Sequence, residues 1–126
     1  MIVSMGGTAA SGGYLISAFA DEIIAQPTTV TGSIGVISLI PNIEGLSENL
    51  GVRWVTLGQG ENADFASPYR ELEPNEEAKF QESVDAAYTD FVEAVGRGRR
   101  LPSQEVEEAA QGRVWTGSQA MDRALV

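Results

Sequence analysis

Apolar and polar positions along this chain change rhythm several times, and each change marks an element. The opening Ile2-Val3-Ser4-Met5 is short and β-rich, which predicts a buried strand over residues 1–5. Gly6-Gly7-Thr8 reads as a turn leading into Ala9-Ala10-Ser11. Over residues 12–20, Tyr14, Leu15, Ala18 and Phe19 fall at helical spacing, so Ser11 is expected at a helix N-terminus. Ile23-Ile24-Ala25 predicts a second strand, stopped at Pro27, which has no N–H to give to a ladder. Residues 28–40 carry a second glycine-punctuated unit, Thr31-Gly32-Ser33-Ile34-Gly35-Val36-Ile37.

Ile43, Leu46 and Leu50 recur at helical intervals before Gly51, which predicts a short helix over residues 41–50. Residues 52–57 alternate and are β-rich, the pattern of a strand. Residues 58–74 are polar, contain Pro68 and Pro74, and read as a long loop of the kind that often carries function. Phe80, Val84, Ala87, Tyr88, Phe91 and Val95 then form one apolar stripe, predicting a long amphipathic helix over residues 75–95 that Gly96-Arg97-Gly98 breaks. Pro102-Ser103 opens another short helix, with Ser103 as its cap, Val106, Ala109 and Ala110 facing inward, and Gly112 closing it. Arg113 to Thr116 reads as extended and residues 118–124 as a last helix. Strands alternating with helices argue an α/β domain with a mixed or mainly parallel sheet flanked by helices.

Composition narrows the function. At 126 residues and 43% hydrophobic, the chain can bury one core. Eight basic against 18 acidic residues give a formal net charge of −10, which opposes docking on nucleic acid or an anionic membrane surface. Without cysteine there are no disulfides, thiolate metal sites or cysteine nucleophile, and the redox compartment stays open. Nothing in the sequence implies a cofactor or metal: Glu61 and Asp64 read as solvated loop carboxylates, with no histidine beside them. Arg97, Arg99 and Arg100 read as partners for helix-end carbonyls or acidic surface, and Trp54 and Trp115 as core or subunit-contact aromatics. Met1 opens in mid-strand and Ala124-Leu125-Val126 ends on apolar residues, so the chain is expected to be a piece of a longer protein, incomplete at both ends.

Ser11 holds the chemical interest. A strand, a glycine turn and a serine at a helix start can expose a hydroxyl and converge backbone N–H groups beside it. Such a hydroxyl needs a base, and the chain has no histidine and a single lysine. That lysine, Lys79, stands among Glu76, Glu77 and Glu82, which favour its charged form and a solvated surface role. Read alone, Ser11 is either a nucleophile whose base lies elsewhere or a packing or capping serine. The α/β-hydrolase elbow Gly-x-Ser-x-Gly is not met, because Ala9 holds its first position, and no Gly-Lys-Ser/Thr run supports a phosphate cradle.

The run from Ser4 through Ala9-Ala10-Ser11-Gly12-Gly13-Tyr14, followed by Ala20-Asp21-Glu22-Ile23-Ile24-Ala25-Gln26-Pro27 and Thr31-Gly32-Ser33-Ile34-Gly35-Val36, resembles the signal peptide peptidase A (protease IV) family. The likeness continues through Ser67-Pro68-Tyr69-Arg70 to Gly112-Arg113-Val114-Trp115-Thr116-Gly117. It implies a Clp protease/crotonase-like fold and a serine–lysine dyad in which Ser11 is the nucleophile. Ser33 would orient the lysine, and the Gly12 N–H would be one oxyanion donor. Hydrophobic peptides, such as remnant signal peptides, are the implied substrates. The implied assembly is a ring-like homo-oligomer, perhaps a tetramer, anchored on the extracytoplasmic (periplasmic) side of the membrane by segments outside this chain.

One departure sets the expected type. Short family members carry the lysine in the loop before the Ser-Pro matching Ser67-Pro68, and here Ala63 stands nearest that place. Long members have two related halves, with the serine in the C-terminal half and the lysine in the N-terminal half. The chain therefore resembles that C-terminal half, with its base supplied by the N-terminal half of the same protein and with no activity expected of the isolated piece. The competing expectation is a non-catalytic scaffold or peptide-binding module of the same fold.

Overall fold

The computed structural model describes residues 1–60 and 63–126, a mixed α/β chain in two compact units. The first unit combines Met1–Val36 with Asp85–Val126, and the second is Ile37–Val84.

In the first unit, β1 (Ile2–Met5) pairs in parallel with β3 (Glu22–Ala25). β2 (Thr8–Ala10) pairs in parallel with β4 (Val30–Gly32), whose other edge takes β5 (Val114–Thr116) antiparallel. β2 was expected to be part of a turn. Its Thr-Ala-Ala sequence has little apolar patterning, and it becomes a strand because β4 satisfies its backbone. The Thr31 hydroxyl adds a bond to the Ala9 carbonyl at 2.8 Å, and the Thr29 hydroxyl one to the Gly6 carbonyl at 2.7 Å.

The first helix, α1 (Gly12–Ser17), buries Tyr14, and the residues just beyond it bury Ala18 and Ala20. The Tyr14 hydroxyl donates to the Leu125 carbonyl at 2.9 Å, and burial pushes its ionisation well above the ordinary tyrosine range. Tyr14, Ile34, Val95, Val106 and Leu125 are among the fully buried side chains of the core. Each removes apolar surface from water worth roughly 1.5–3 kcal/mol.

The long helix spans both units. It is labelled α3 (Pro74–Arg99), and α2 (Glu44–Asn49) precedes it in the second unit. Its apolar stripe is as expected, with Phe91 and Val95 in the core, but Gly96-Arg97-Gly98 does not break it. A Cβ on Gly98 would stand 2.4 Å from the Ala18 carbonyl oxygen, so the glycine lets α3 pass directly over the end of α1. The helix stops one residue later, where Arg100 takes φ 56° and the Leu101 N–H returns to the Gly96 carbonyl at 3.0 Å, closing the end as a Schellman turn. Arg99 donates to the carbonyls of Ala20 and Ala124, which lie just past the ends of their helices.

α4 (Ser103–Ala109) buries Val106 and Ala109 as expected, but Pro102 is its cap and Ser103 its first helical residue, with no side-chain capping bond. Gln111 and Gly112 then turn with positive φ into β5. α5 (Gly117–Met121) is shorter than expected, and its N-terminus is held by a capping box between Thr116 and Gln119.

In the second unit, Asn42 Oδ1 accepts from the Glu44 N–H at 2.8 Å to start α2, and Gly51, at φ 68°, ends it. Residues 52–57 carry no strand pairing, contrary to their alternation. Val55 and Leu57 are exposed, and among the described residues of this unit no element supplies the ladder that such a pattern needs. Trp54 stacks on Tyr69 at 3.9 Å and donates to the Ser47 hydroxyl, walling an open cleft of about 400 Å³ rather than joining the core. Arg70 organises the loop, pairing with Asp64 at 2.8 Å and with Glu76, which is 3% exposed, at 2.6 Å. Asp64 is thereby committed to Arg70, while Glu61 lies outside the described residues. Among the described residues, no helix is long and apolar enough to cross a membrane.

Candidate active site

β2 and β4 run side by side in parallel, with Ala10 opposite Gly32 as their last paired positions. Ser11 is the next residue on one strand and Ser33 the next on the other. The sheet thus brings together two serines 22 positions apart in the sequence, at the C-terminal ends of neighbouring strands. The Ser11 N–H donates to the Gly32 carbonyl at 2.8 Å and the Ser33 N–H to the Arg113 carbonyl at 2.7 Å.

Both serines have backbone conformations that L-residues avoid. Ser11 has φ 53° and ψ −120°, and Ser33 has φ 51°. Such positions cost of order 1–3 kcal/mol each and persist where surrounding bonds over-determine them. At Ser11 the strain performs a turn from strand directly into helix. The residue is exposed and its side chain makes no capping bond, so the capping reading of Ser11 does not hold.

Gly12 begins α1, and a side chain there would meet nothing within 4 Å. As the first residue of α1, its N–H has no intrahelical acceptor. Thr31, fully buried, braces the pair from below through its bond to Ala9. Thr31 and Gly32 stood inside the Thr-Gly-Ser-Ile-Gly run, but nothing in the sequence alone distinguished the Gly32 carbonyl as the acceptor for Ser11.

Lys79 lies in the second unit with its side chain 70% exposed, paired with Glu82 at 2.7 Å. That carboxylate holds its amine above the ordinary lysine range. A base must lose its proton, and Lys79 is placed to keep it. Ala63, at the position where a loop lysine was sought, is an exposed residue of the same unit.

An exposed serine on a strained strand-to-helix turn, followed by the first N–H of a helix, is an arrangement suited to acyl transfer. The family comparison gives the class: residues 1–126 match the model of peptidase family S49, and the chain belongs to that family. It is 45% identical over 119 residues to a putative signal peptide peptidase SppA of Enterococcus faecium, covering 94% of this chain and 35% of that protein. It is 40% identical over its whole length to Protease 4 of Haemophilus influenzae and 39% identical to the chloroplastic serine protease SPPA of Arabidopsis thaliana, spanning 20% and 19% of those proteins. The resemblance drawn from the Ser4 to Val36 motifs is thereby borne out. The chain spans between about a fifth and a third of the lengths of these relatives.

Proposed function

We propose that the full-length protein is a serine peptidase of Clp protease/crotonase-like fold in which Ser11 is the nucleophile and a lysine outside these 126 residues is the base. The observation that carries this reading is the strained, exposed Ser11 set beside Ser33 at the ends of paired strands. The Ser11 Oγ–H proton passes to the neutral lysine amine as Oγ attacks the peptide carbonyl carbon. The departing amine takes that proton as the C–N bond breaks, leaving an acyl ester on Ser11. Water, deprotonated by the same lysine, adds to the ester; release of the acid returns the proton to Oγ. The Gly12 N–H donates to the developing oxyanion, and the Ser33 hydroxyl orients the lysine.

Relatives of very different length match about equally well, so the loop at Ala63 decides where the base comes from. With no lysine there and Lys79 held protonated, the base belongs to a related N-terminal half, and this chain is the nucleophile-bearing C-terminal half. Hydrophobic peptides such as remnant signal peptides are the substrates, met at the extracytoplasmic face of a membrane to which other segments anchor the protein. Exposed Ile37, Leu39, Val55 and Leu57 in the second unit supply apolar surface for a ring-like homo-oligomer, perhaps a tetramer.

Loss of peptide cleavage in full-length Ser11→Ala tests the reading, and intact cleavage would contradict it. The scaffold alternative rests on the same missing lysine. It expects the wild-type protein to bind peptides without cleaving them.

A further inference from the structure

Trp115 sits where β5 crosses β4, opposite Thr31, with Val114 opposite Gly32. A Cβ on Gly32 would lie 2.7 Å from Trp115 Cδ1, so the indole fills the space that any other residue would need there. Gly32 itself is buried and has φ 74°, a conformation that suits glycine. The ring is fixed on two further sides. Its Nε1–H donates to the Ala109 carbonyl at 2.8 Å, and the Arg123 guanidinium lies over the ring, 3.7 Å from the centroid. Arg123 is in turn held by the Gln119 carbonyl at 2.7 Å.

Gly32 is the hub of the serine pair: its carbonyl accepts from the Ser11 N–H, and its C-terminal neighbour is Ser33. We infer that Trp115, held between the Ala109 carbonyl and Arg123, is a positioning residue that fixes Gly32 and through it both Ser11 and Ser33. The inference rests on the reading of Ser11 as nucleophile. A wedge against a flexible glycine matters because reacting groups displaced by about 1 Å can lose on the order of a hundredfold in rate. The indole N–H is committed to the Ala109 carbonyl, so the proposed influence runs through the backbone of Gly32.

The test uses the full-length protein and one peptide substrate, with kcat, KM, the rate of inactivation by a serine-directed fluorophosphonate, and thermal unfolding measured for each variant. Trp115→Ala is expected to lower kcat by about tenfold or more with KM changed by less than about twofold, and to slow inactivation in step. Trp115→Phe, which keeps a ring against Gly32 and loses the bond to Ala109, is expected to recover most of that loss. A folded Trp115→Ala with wild-type kcat and inactivation rate overturns the inference. Should Trp115→Ala fail to fold, Arg123→Ala decides, because it uncovers the ring without removing it: a fall in kcat of about threefold is expected, and an unchanged kcat overturns the inference. Ser11→Ala, run beside them, separates the two claims. Wild-type cleavage in Ser11→Ala removes the nucleophile reading itself, whereas an inactive Ser11→Ala with unaltered Trp115 variants removes only the role of Trp115.

Discussion

Ser11 and Ser33 leave adjacent parallel strands one residue past the Ala10–Gly32 pair, and both do so with positive φ. Glycine would adopt either conformation without strain, so the serines are held there against the local preference of the backbone. Glycine at such a position relieves roughly 1–2 kcal/mol of left-handed backbone strain, which offsets the roughly 0.4–1 kcal/mol that its extra freedom in the unfolded chain costs. Ser33→Gly should therefore be at least as stable as wild type in chemical denaturation, while the proposed role of its hydroxyl in orienting the lysine predicts a fall in kcat of the full-length protein by about tenfold to a hundredfold. Equal kcat in Ser33→Gly and wild type would remove Ser33 from the site.

The lysine within the chain is expected to be dispensable. Lys79 is exposed and held protonated by Glu82. Lys79→Ala should leave kcat/KM within about twofold of wild type, since a general base is worth far more than that. A collapse of activity on folding-competent Lys79→Ala would place the base inside these residues.

Packing makes a separate prediction at Gly98. A methyl group there meets the Ala18 carbonyl oxygen at 2.4 Å, a backbone atom that cannot rotate away. Overpacking of this kind costs typically about 1–3 kcal/mol, so Gly98→Ala should lower the denaturation midpoint although alanine is the better helix former. A midpoint at or above wild type would show that the approach of α3 to the end of α1 is looser than described.

The Arg70 node sets an acid-dependent term. Arg70 beside it, and then the Glu73 N–H, hold the Glu76 carboxyl down to about 2 from an ordinary 4.5. The folded pKa lies below the unfolded one, so the stabilisation is complete above about pH 4.5 and is lost as pH falls towards about 2. Wild type is expected to be more stable than Glu76→Gln near neutrality, with the gap closing through that window in denaturant titrations. A gap independent of pH would mean that Glu76 contributes through packing alone.

Much of this architecture was readable from residue patterns, and the misreadings share a cause. The stripe of α3 carries strong periodicity, and the burial of Phe91 and Val95 followed from it, whereas β1, expected to be buried, leaves Ile2 65% exposed and buries Met5 alone of its four residues. β2 lacked a pattern because Thr8, Ala9 and Ala10 become a strand through β4, while residues 52–57 had a pattern without a partner. Gly98 looked like a breaker because the benefit of its missing side chain lies in contact with a distant residue, Ala18. The candidate site divides in the same way: Ser11, Gly12 and Ser33 stand in recognisable motifs, whereas the bond from Ser11 to the Gly32 carbonyl and the approach of Trp115 to Gly32 follow only from strand register.

The central claim is that Ser11 is the nucleophile and needs a base from outside these residues. Mapping the fluorophosphonate adduct on the full-length protein by peptide mass spectrometry tests it most directly. A single adduct is expected on the peptide bearing Ser11, absent in Ser11→Ala and undiminished in Lys79→Ala. Labelling of Ser11→Ala at the wild-type rate would contradict it.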